Sequence, residues 1–173
     1  KKAFGVDKNY NQRNFPGKYD VRELGLNYRM SEIHAGIGVE QMKKINNFLR
    51  VRRKNFTNLF NQLKEIKGIN ILISDKKYLK SSDYCMSIIL KQKYIKKRLK
   101  IIYFLNNLGI GTSIYYPKPV PLMSYYKKKY LYKSKNFKNA SIISEQSISL
   151  PVGPHLSLRH INYIAGNLKK III

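Results

Sequence analysis

Between Ser31 and Leu63 the chain holds no proline, and its apolar residues recur at steps of three and four. Val39, Met42, Ile45, Phe48 and Leu49 form one run; Phe56, Leu59, Phe60 and Leu63 form a second after the basic interval Arg52, Arg53, Lys54. That spacing sets each run on one face of a 3.6-residue turn and predicts one long helix. Ser31 is a natural N-cap, and Glu32 puts a carboxylate where the helix dipole favours it. Gly36 and Gly38 weaken the first turns, so they are expected where another backbone or a ligand comes close. Gly68 is the expected stop.

Beyond Gly68 the period shortens. Ile69, Ile71 and Ile73 alternate with other residues, and Tyr84 to Leu90 is a β-prone run; both predict strands. Ile95, Leu99, Ile102 and Leu105 share one helical face, closed by Gly109, and Ile110 to Tyr116 returns to a strand before Pro117. Strand, strand, helix, strand predicts a small α+β sandwich with the helix on one face of the sheet. Pro117, Pro119 and Pro121 force an extended, irregular loop. Tyr125 to Tyr132 reads as a short basic-aromatic helix or turn, Phe137 to Gln146 as a helix, and Leu150 to Pro154 as a loop. Leu158, Ile161, Ile164, Leu168 and Ile171 mark a final amphipathic helix. Upstream, Lys1 to Leu26 is a polar connection with a turn signal at Phe15-Pro16-Gly17. No internal repeat is visible.

Composition narrows the classes. With 173 residues, 43% of them hydrophobic, the chain can bury one real core. No apolar run approaches the roughly 20 residues of a membrane span, and the start has no signal-peptide pattern. It also lacks an initial Met, so the true N-terminus is expected to lie upstream. The single cysteine, Cys85, forms no internal disulfide, favours a cytoplasmic setting, and is expected to be buried in its apolar run. The formal charge of +25 comes from 34 Lys and Arg against 9 Asp and Glu. Taken alone, it suggests a binder of nucleic acid or an anionic surface. The basic residues are mostly Lys and spread along the whole chain, alongside abundant Asn, Ile and Tyr. That is the signature of an A+T-rich coding bias, so weak adhesion to polyanions is expected and no specific nucleic-acid partner.

Self-contained catalytic signatures are absent: no Walker loop, HExxH, paired CxxC or GxSxG. His34, His155 and His160 are scattered without a cysteine or carboxylate cluster, which suits structural or solvated roles and no metal site. Glu23 and Glu32 flank one loop but are far apart for acid–base work. The informative stretch is Leu24-Gly25-Leu26-Asn27-Tyr28-Arg29-Met30-Ser31, a polar turn feeding directly into the long helix. Asn27 offers an amide donor and Arg29 a planar fork for phosphate or carboxylate, both just outside a helix N-terminus. On chemistry alone, an anion-binding loop and a capping loop are equally open readings.

Gly25-Leu26-Asn27-Tyr28-Arg29-Met30-Ser31-Glu32 resembles the G-x-N-Y-R-M-S-E segment of the DegT/DnrJ/StrS-type sugar aminotransferases. The long helix with Ala35, Gly38 and Gln41 followed by Arg50, Arg52 and Arg53 is similar to the same family. So are Leu108 to Ser113 before a tyrosine-proline element, Tyr125-Tyr126, and Ser149-Leu150-Pro151 with its closing helix, all in the family's order.

The resemblance implies an α/β architecture, fold-type I of the pyridoxal-phosphate-dependent transferases. Residues 1–30 would then end the large cofactor domain, 31–68 would be a connecting helix, and 69–173 the small C-terminal α+β domain. It implies a homodimer that transfers an amino group from an amino acid, usually glutamate, to a nucleotide-linked keto-sugar, with pyridoxal 5'-phosphate as the electron sink on a lysine. Asn27 would reach the cofactor phosphate of the partner subunit, Arg29 would grip a substrate carboxylate or phosphate, and Tyr28 would shape their loop. Tyr115 and Pro121 stand where the family usually has histidines, and the Tyr115 hydroxyl is expected to contact substrate. The family's Schiff-base lysine lies before the region that starts here, so this polypeptide alone is expected to be inactive. It is expected to associate through apolar surface left on the long helix. The rival readings are a non-enzymatic basic module for nucleic acid or acidic glycan, and a noncatalytic regulatory relative of the same family.

Overall fold

The computed structural model describes residues 2–3, 6–7, 26, 28, 30–73 and 78–172. Two compact units divide the chain, Lys1–Lys43 and Lys44–Ile173.

In the first unit the two-residue strands β1 (Lys2–Ala3) and β2 (Val6–Asp7) pair antiparallel, with Lys2 opposite Asp7 and Ala3 opposite Val6. The unit also holds the start of α1 (Glu32–Leu63). Ser31 caps this helix as expected: its Oγ accepts the His34 amide N–H at 3.3 Å and lies 3.0 Å from His34 Nδ1. Among the described residues, an added Cβ at Gly36 or Gly38 would meet nothing within 4 Å.

The second unit is built on an antiparallel sheet ordered β3 (Ile69–Ile71), β4 (Cys85–Leu90), β5 (Ser147–Pro151). Its register sets Ile69 opposite Leu90, Met86 opposite Leu150 and Ile88 opposite Ile148. Strand side chains alternate between faces. Met86, Ile88, Leu90, Ile148 and Leu150 therefore share one fully buried face. Leu59 and Leu63 of α1, Ile101 and Leu105 of α2 (Arg98–Asn107), and Ile161, Ile164 and Leu168 of α5 (Leu158–Ile172) complete one core with it. This is the helix-on-sheet sandwich that the pattern predicts, with three helices supplying the apolar cover.

The sequence expectations shift at four places. Helix α1 ends at Leu63 and not at Gly68. Gly68 answers a different need: a Cβ there would lie 2.7 Å from both Ile172 Cγ2 and Tyr94 Cε2. Ile73 lies outside β3 and is exposed. The stretch Ile110 to Tyr116 forms no strand; Ser113 alone bridges Ser149, and the third strand is β5, drawn partly from the segment expected to be a loop. Serines 147 and 149 are buried, so β5 alternates small polar with apolar residues inside the fold, a pattern that composition disguises as a turn. Finally, a 3-10 stretch at Gln92–Lys97 precedes α2. Its tighter turn advances the phase, which brings Ile101 and Leu105 inward and leaves Leu99 76% exposed. Gly109 closes α2 at φ 73, a left-handed conformation that suits glycine.

Beyond α2, α3 (Ser124–Tyr130) and α4 (Lys138–Gln146) follow the proline segment. Tyr125, Tyr126, Tyr130, Tyr132 and Phe137 form a chain of ring contacts with centroids 5.2 to 6.4 Å apart.

Candidate active site

The second half of α1 presents Arg52, Asn55, Leu59 and Leu63 at steps of three and four, so they share a stripe. Leu59 and Leu63 enter the core. Asn55 is buried too, and its amide donates to the carbonyls of Gly153 and Leu156, each at 3.0 Å. These two bonds tie α1 to the segment after β5. Arg52 stands one turn earlier, where the stripe has become polar.

The sheet supplies the opposite wall. Alternation turns Cys85, Ser87 and Ser149 away from the apolar face, and the Ser87 and Ser149 hydroxyls lie 2.8 Å apart. Ser113 exchanges backbone hydrogen bonds with Ser149, at 3.1 and 2.8 Å, which holds the Gly111 to Tyr115 segment beside β5. Together these elements enclose a cleft of about 220 Å³ whose lining includes Arg52, Tyr84, Cys85, Ser113, Tyr115 and His155.

Arg53, the next residue of the helix, positions one lip. Its Nε lies 3.1 Å from Asp83 Oδ2, and its Nη2 donates to the Ser81 carbonyl at 2.8 Å. Asp83 has φ 48, left-handed backbone that aspartate tolerates better than most residues, and its N–H donates to Ser81 Oγ at 3.0 Å. The loop so fixed delivers Tyr84. Its hydroxyl lies 3.4 Å from that of Tyr115, and its ring centre 5.8 Å from the Arg52 guanidinium carbon.

The two phenols are driven apart in acidity. The Ser113 hydroxyl, and after it the Tyr84 hydroxyl, hold Tyr115 below the ordinary phenol value, against the smaller effects of burial and Cys85. Tyr84 is pushed up, first by its hydrogen bond to Tyr115 and then by the charge Tyr115 would carry, with Arg52 opposing. Tyr115 is thus the first of the pair to ionise.

Of the residues singled out in the sequence, Tyr115 lies in this cleft and Tyr28 is 85% exposed. Asn27 and Arg29 lie outside the described residues. Cys85 is half-buried on the cleft wall and not sealed in the core, because strand alternation sends it to the polar face. His34 and His160 sit at helix starts, each three residues after a serine whose oxygen accepts the histidine's own N–H, at 3.3 and 3.5 Å. His155 belongs to the cleft. Arg52, Asn55 and Tyr84 were not picked out as site residues; the signal was the polar continuation of the apolar stripe. Among the described residues, no group of three His, Cys, Asp or Glu is placed to hold a metal ion, and no helix is long and apolar enough to cross a membrane.

A model of the DegT/DnrJ/EryC1/StrS aminotransferase family matches residues 2–169. A UDP-4-amino-4,6-dideoxy-N-acetyl-beta-L-altrosamine transaminase of Campylobacter jejuni is 28% identical over 153 residues, 88% of this chain and 40% of that protein. Helicobacter pylori PseC, an aminotransferase involved in the biosynthesis of pseudoaminic acid, superposes with a TM-score of 0.78 at 24% identity, over 98% of this chain and 43% of that one. Spr1654 of Streptococcus pneumoniae in its PLP form gives 0.77 at 23% identity, over 97% and 40%. These two likenesses show the fold. The chain spans about 40% of the length of the curated relatives it matches.

Proposed function

Because the chain belongs to the DegT/DnrJ/EryC1/StrS aminotransferase family, we propose that it forms the C-terminal part of a pyridoxal-5'-phosphate-dependent enzyme that aminates a nucleotide-linked keto-sugar. The observation that carries this reading is the extent of the family match, residues 2–169, which runs through the Gly25 to Glu32 segment and on to the last helix. The amino donor is an amino acid, with glutamate the expected one, and the product serves amino-sugar and surface polysaccharide synthesis. The working unit is a cytoplasmic homodimer. In it residues 1–30 end the large cofactor domain, 31–68 connect, and 69–173 form the small domain.

The cleft suits one flank of such a site. Its donors are a guanidinium, an imidazole, two phenols and two serine hydroxyls, which suit oxyanions and sugar hydroxyls; among the described residues no lysine lines it. We therefore assign the lysine that anchors the cofactor to the remaining length of the protein. When bound, pyridoxal phosphate would supply the electron sink that amino transfer needs. The residues of this chain would bind and orient: Asn27 would donate to the cofactor phosphate across the dimer, Arg29 would hold a substrate carboxylate or phosphate, and Tyr28 would shape their loop. Tyr115 presents its hydroxyl to the sugar.

The test is amino transfer by the full-length protein supplied with cofactor, glutamate and a panel of UDP- and dTDP-linked keto-sugars. Release of 2-oxoglutarate matched by an amino-sugar product is the expected result, and Asn27→Ala should weaken retention of the cofactor. A cofactor-loaded protein that aminates none of the panel overturns the reading.

A further inference from the structure

Two neighbouring arginines on α1 differ in how they are satisfied. Arg53 has a carboxylate and a carbonyl, at 3.1 and 2.8 Å. Arg52 has neither: its Nε is buried without a hydrogen-bond partner, and it forms no ion pair among the described residues. The Tyr84 ring, 5.8 Å away, engages the flat guanidinium through cation–π attraction and accepts no in-plane N–H. Buried N–H groups are almost always paired, and a guanidinium is never neutral at working pH, so a guanidinium that lines a cleft with no carboxylate or carbonyl of its own suits an anionic acceptor there.

The surroundings agree. Among the described residues no aspartate or glutamate lines the cleft, and the nearby Asp83 is taken by Arg53. Hydroxyls of Tyr84, Tyr115, Ser113 and Ser149 and the His155 imidazole surround it. The volume of about 220 Å³ suits a single phosphate or carboxylate head with its adjoining atoms, not a whole nucleotide-sugar.

We infer that Arg52 is the anchor of an oxyanion subsite in this cleft, completed by the Tyr84, Tyr115 and Ser113 hydroxyls. Where the aminotransferase reading supplies the source, the oxyanion is either the diphosphate of the sugar nucleotide or the carboxylate of the amino donor. The subsite itself does not depend on that reading. Arg53 acts as a positioning residue, through Asp83, on Tyr84.

The experiment is calorimetric titration of the full-length protein with two kinds of probe: pyrophosphate and UDP for a phosphate source, glutarate and 2-oxoglutarate for a carboxylate source. Arg52→Gln should weaken the arm that uses the cleft by about tenfold or more, as loss of a charge-assisted hydrogen bond does, and leave the other arm within about twofold. Arg52→Lys should restore part of the loss. Lys128→Gln, which removes one charge from exposed α3, should change neither arm by more than about twofold. In the unaltered protein the bound probe should also slow alkylation of Cys85, read by peptide mass spectrometry, since that thiol lines the same cleft. This measurement needs no variant to fold. If Arg52→Gln spares both arms, or neither kind of probe slows Cys85 alkylation, the subsite is refuted. Failure of the aminotransferase reading looks different: oxyanion binding persists while no sugar is aminated.

Discussion

Val39, Met42 and Ile45 in the first half of α1 repeat the three-and-four spacing that Phe56, Leu59, Phe60 and Leu63 show in the second. The first set is exposed, with Met42 at 65%, while Leu59 and Leu63 are sealed at 0%. Local sequence makes both halves helical; among the described residues, only the second packs against a sheet and two helices. A periodic apolar stripe reports that a face needs covering and not what covers it. The same stripe also changes character along its length. Leucines end it in the core, Asn55 fastens it to a loop, and Arg52 brings it to the cleft, so one helical face grades from stability to chemistry.

Truncating each half should separate them most sharply. Leu59→Ala removes a fully buried side chain and is expected to cost about 2–5 kcal/mol in chemical denaturation. Ile37→Ala, at a position 56% exposed, should stay within about 0.5 kcal/mol. Ile37→Lys should lower any self-association seen in sedimentation without shifting the denaturation midpoint. Equal losses from Leu59→Ala and Ile37→Ala would erase the contrast between the halves.

Two changes of intermediate size probe how the second half is held. Gly68→Ala forces a methyl against Ile172 and Tyr94 at 2.7 Å, and overpacking of this kind should cost about 1–3 kcal/mol. Asn55→Ala strands the Gly153 and Leu156 carbonyls and should cost about 1–3 kcal/mol. Because those carbonyls border the cleft at Gly153, the Asn55 variant should also speed alkylation of Cys85, whereas Gly68→Ala should not. Thermal melts and peptide mapping read the two effects separately.

How far the sequence speaks follows from the same residues. The long helix, the helix-covered sheet and the last helix were legible in apolar spacing at 3.6 or 2 residues. The phase of α2 was not: six residues of 3-10 helix before it move the inward face from Leu99 to Ile101, and no local residue announces that tighter winding. Strand β5 was missed because its alternate positions are serines, which read as turn residues until a neighbouring strand buries them. At the site, Tyr115 was legible from the tyrosine-proline element. Tyr84 and Arg52 were not, since they meet across 32 residues only when the Arg53–Asp83 pair fixes the loop between. The basic interval Arg52-Arg53-Lys54 looked like a gap in the apolar pattern, yet it is where the buried stripe turns polar.

The smallest expected effect is the most specific to the cleft. Tyr84→Phe removes one of the two hydroxyls that hold Tyr115 below the ordinary phenol value, so Tyr115 should move up towards that value while Ser113 still restrains it. A depressed phenol favours the ionised form in the fold. Its contribution is absent at neutral pH, where the folded and unfolded chains both keep the proton. As pH rises through the folded Tyr115 value towards the ordinary one, the native protein gains stability. Above that, it gives stability back as Tyr84, whose own value is raised, resists ionisation. Tyr84→Phe should therefore leave neutral stability nearly unchanged and flatten the alkaline rise. Ring-carbon NMR of labelled tyrosine, assigned with Tyr115→Phe, checks the shift directly. A Tyr115 titration that does not move when the Tyr84 hydroxyl is gone would mean that the two phenols do not communicate, and that the lip fixed by Arg53 and Asp83 does not reach the cleft chemistry.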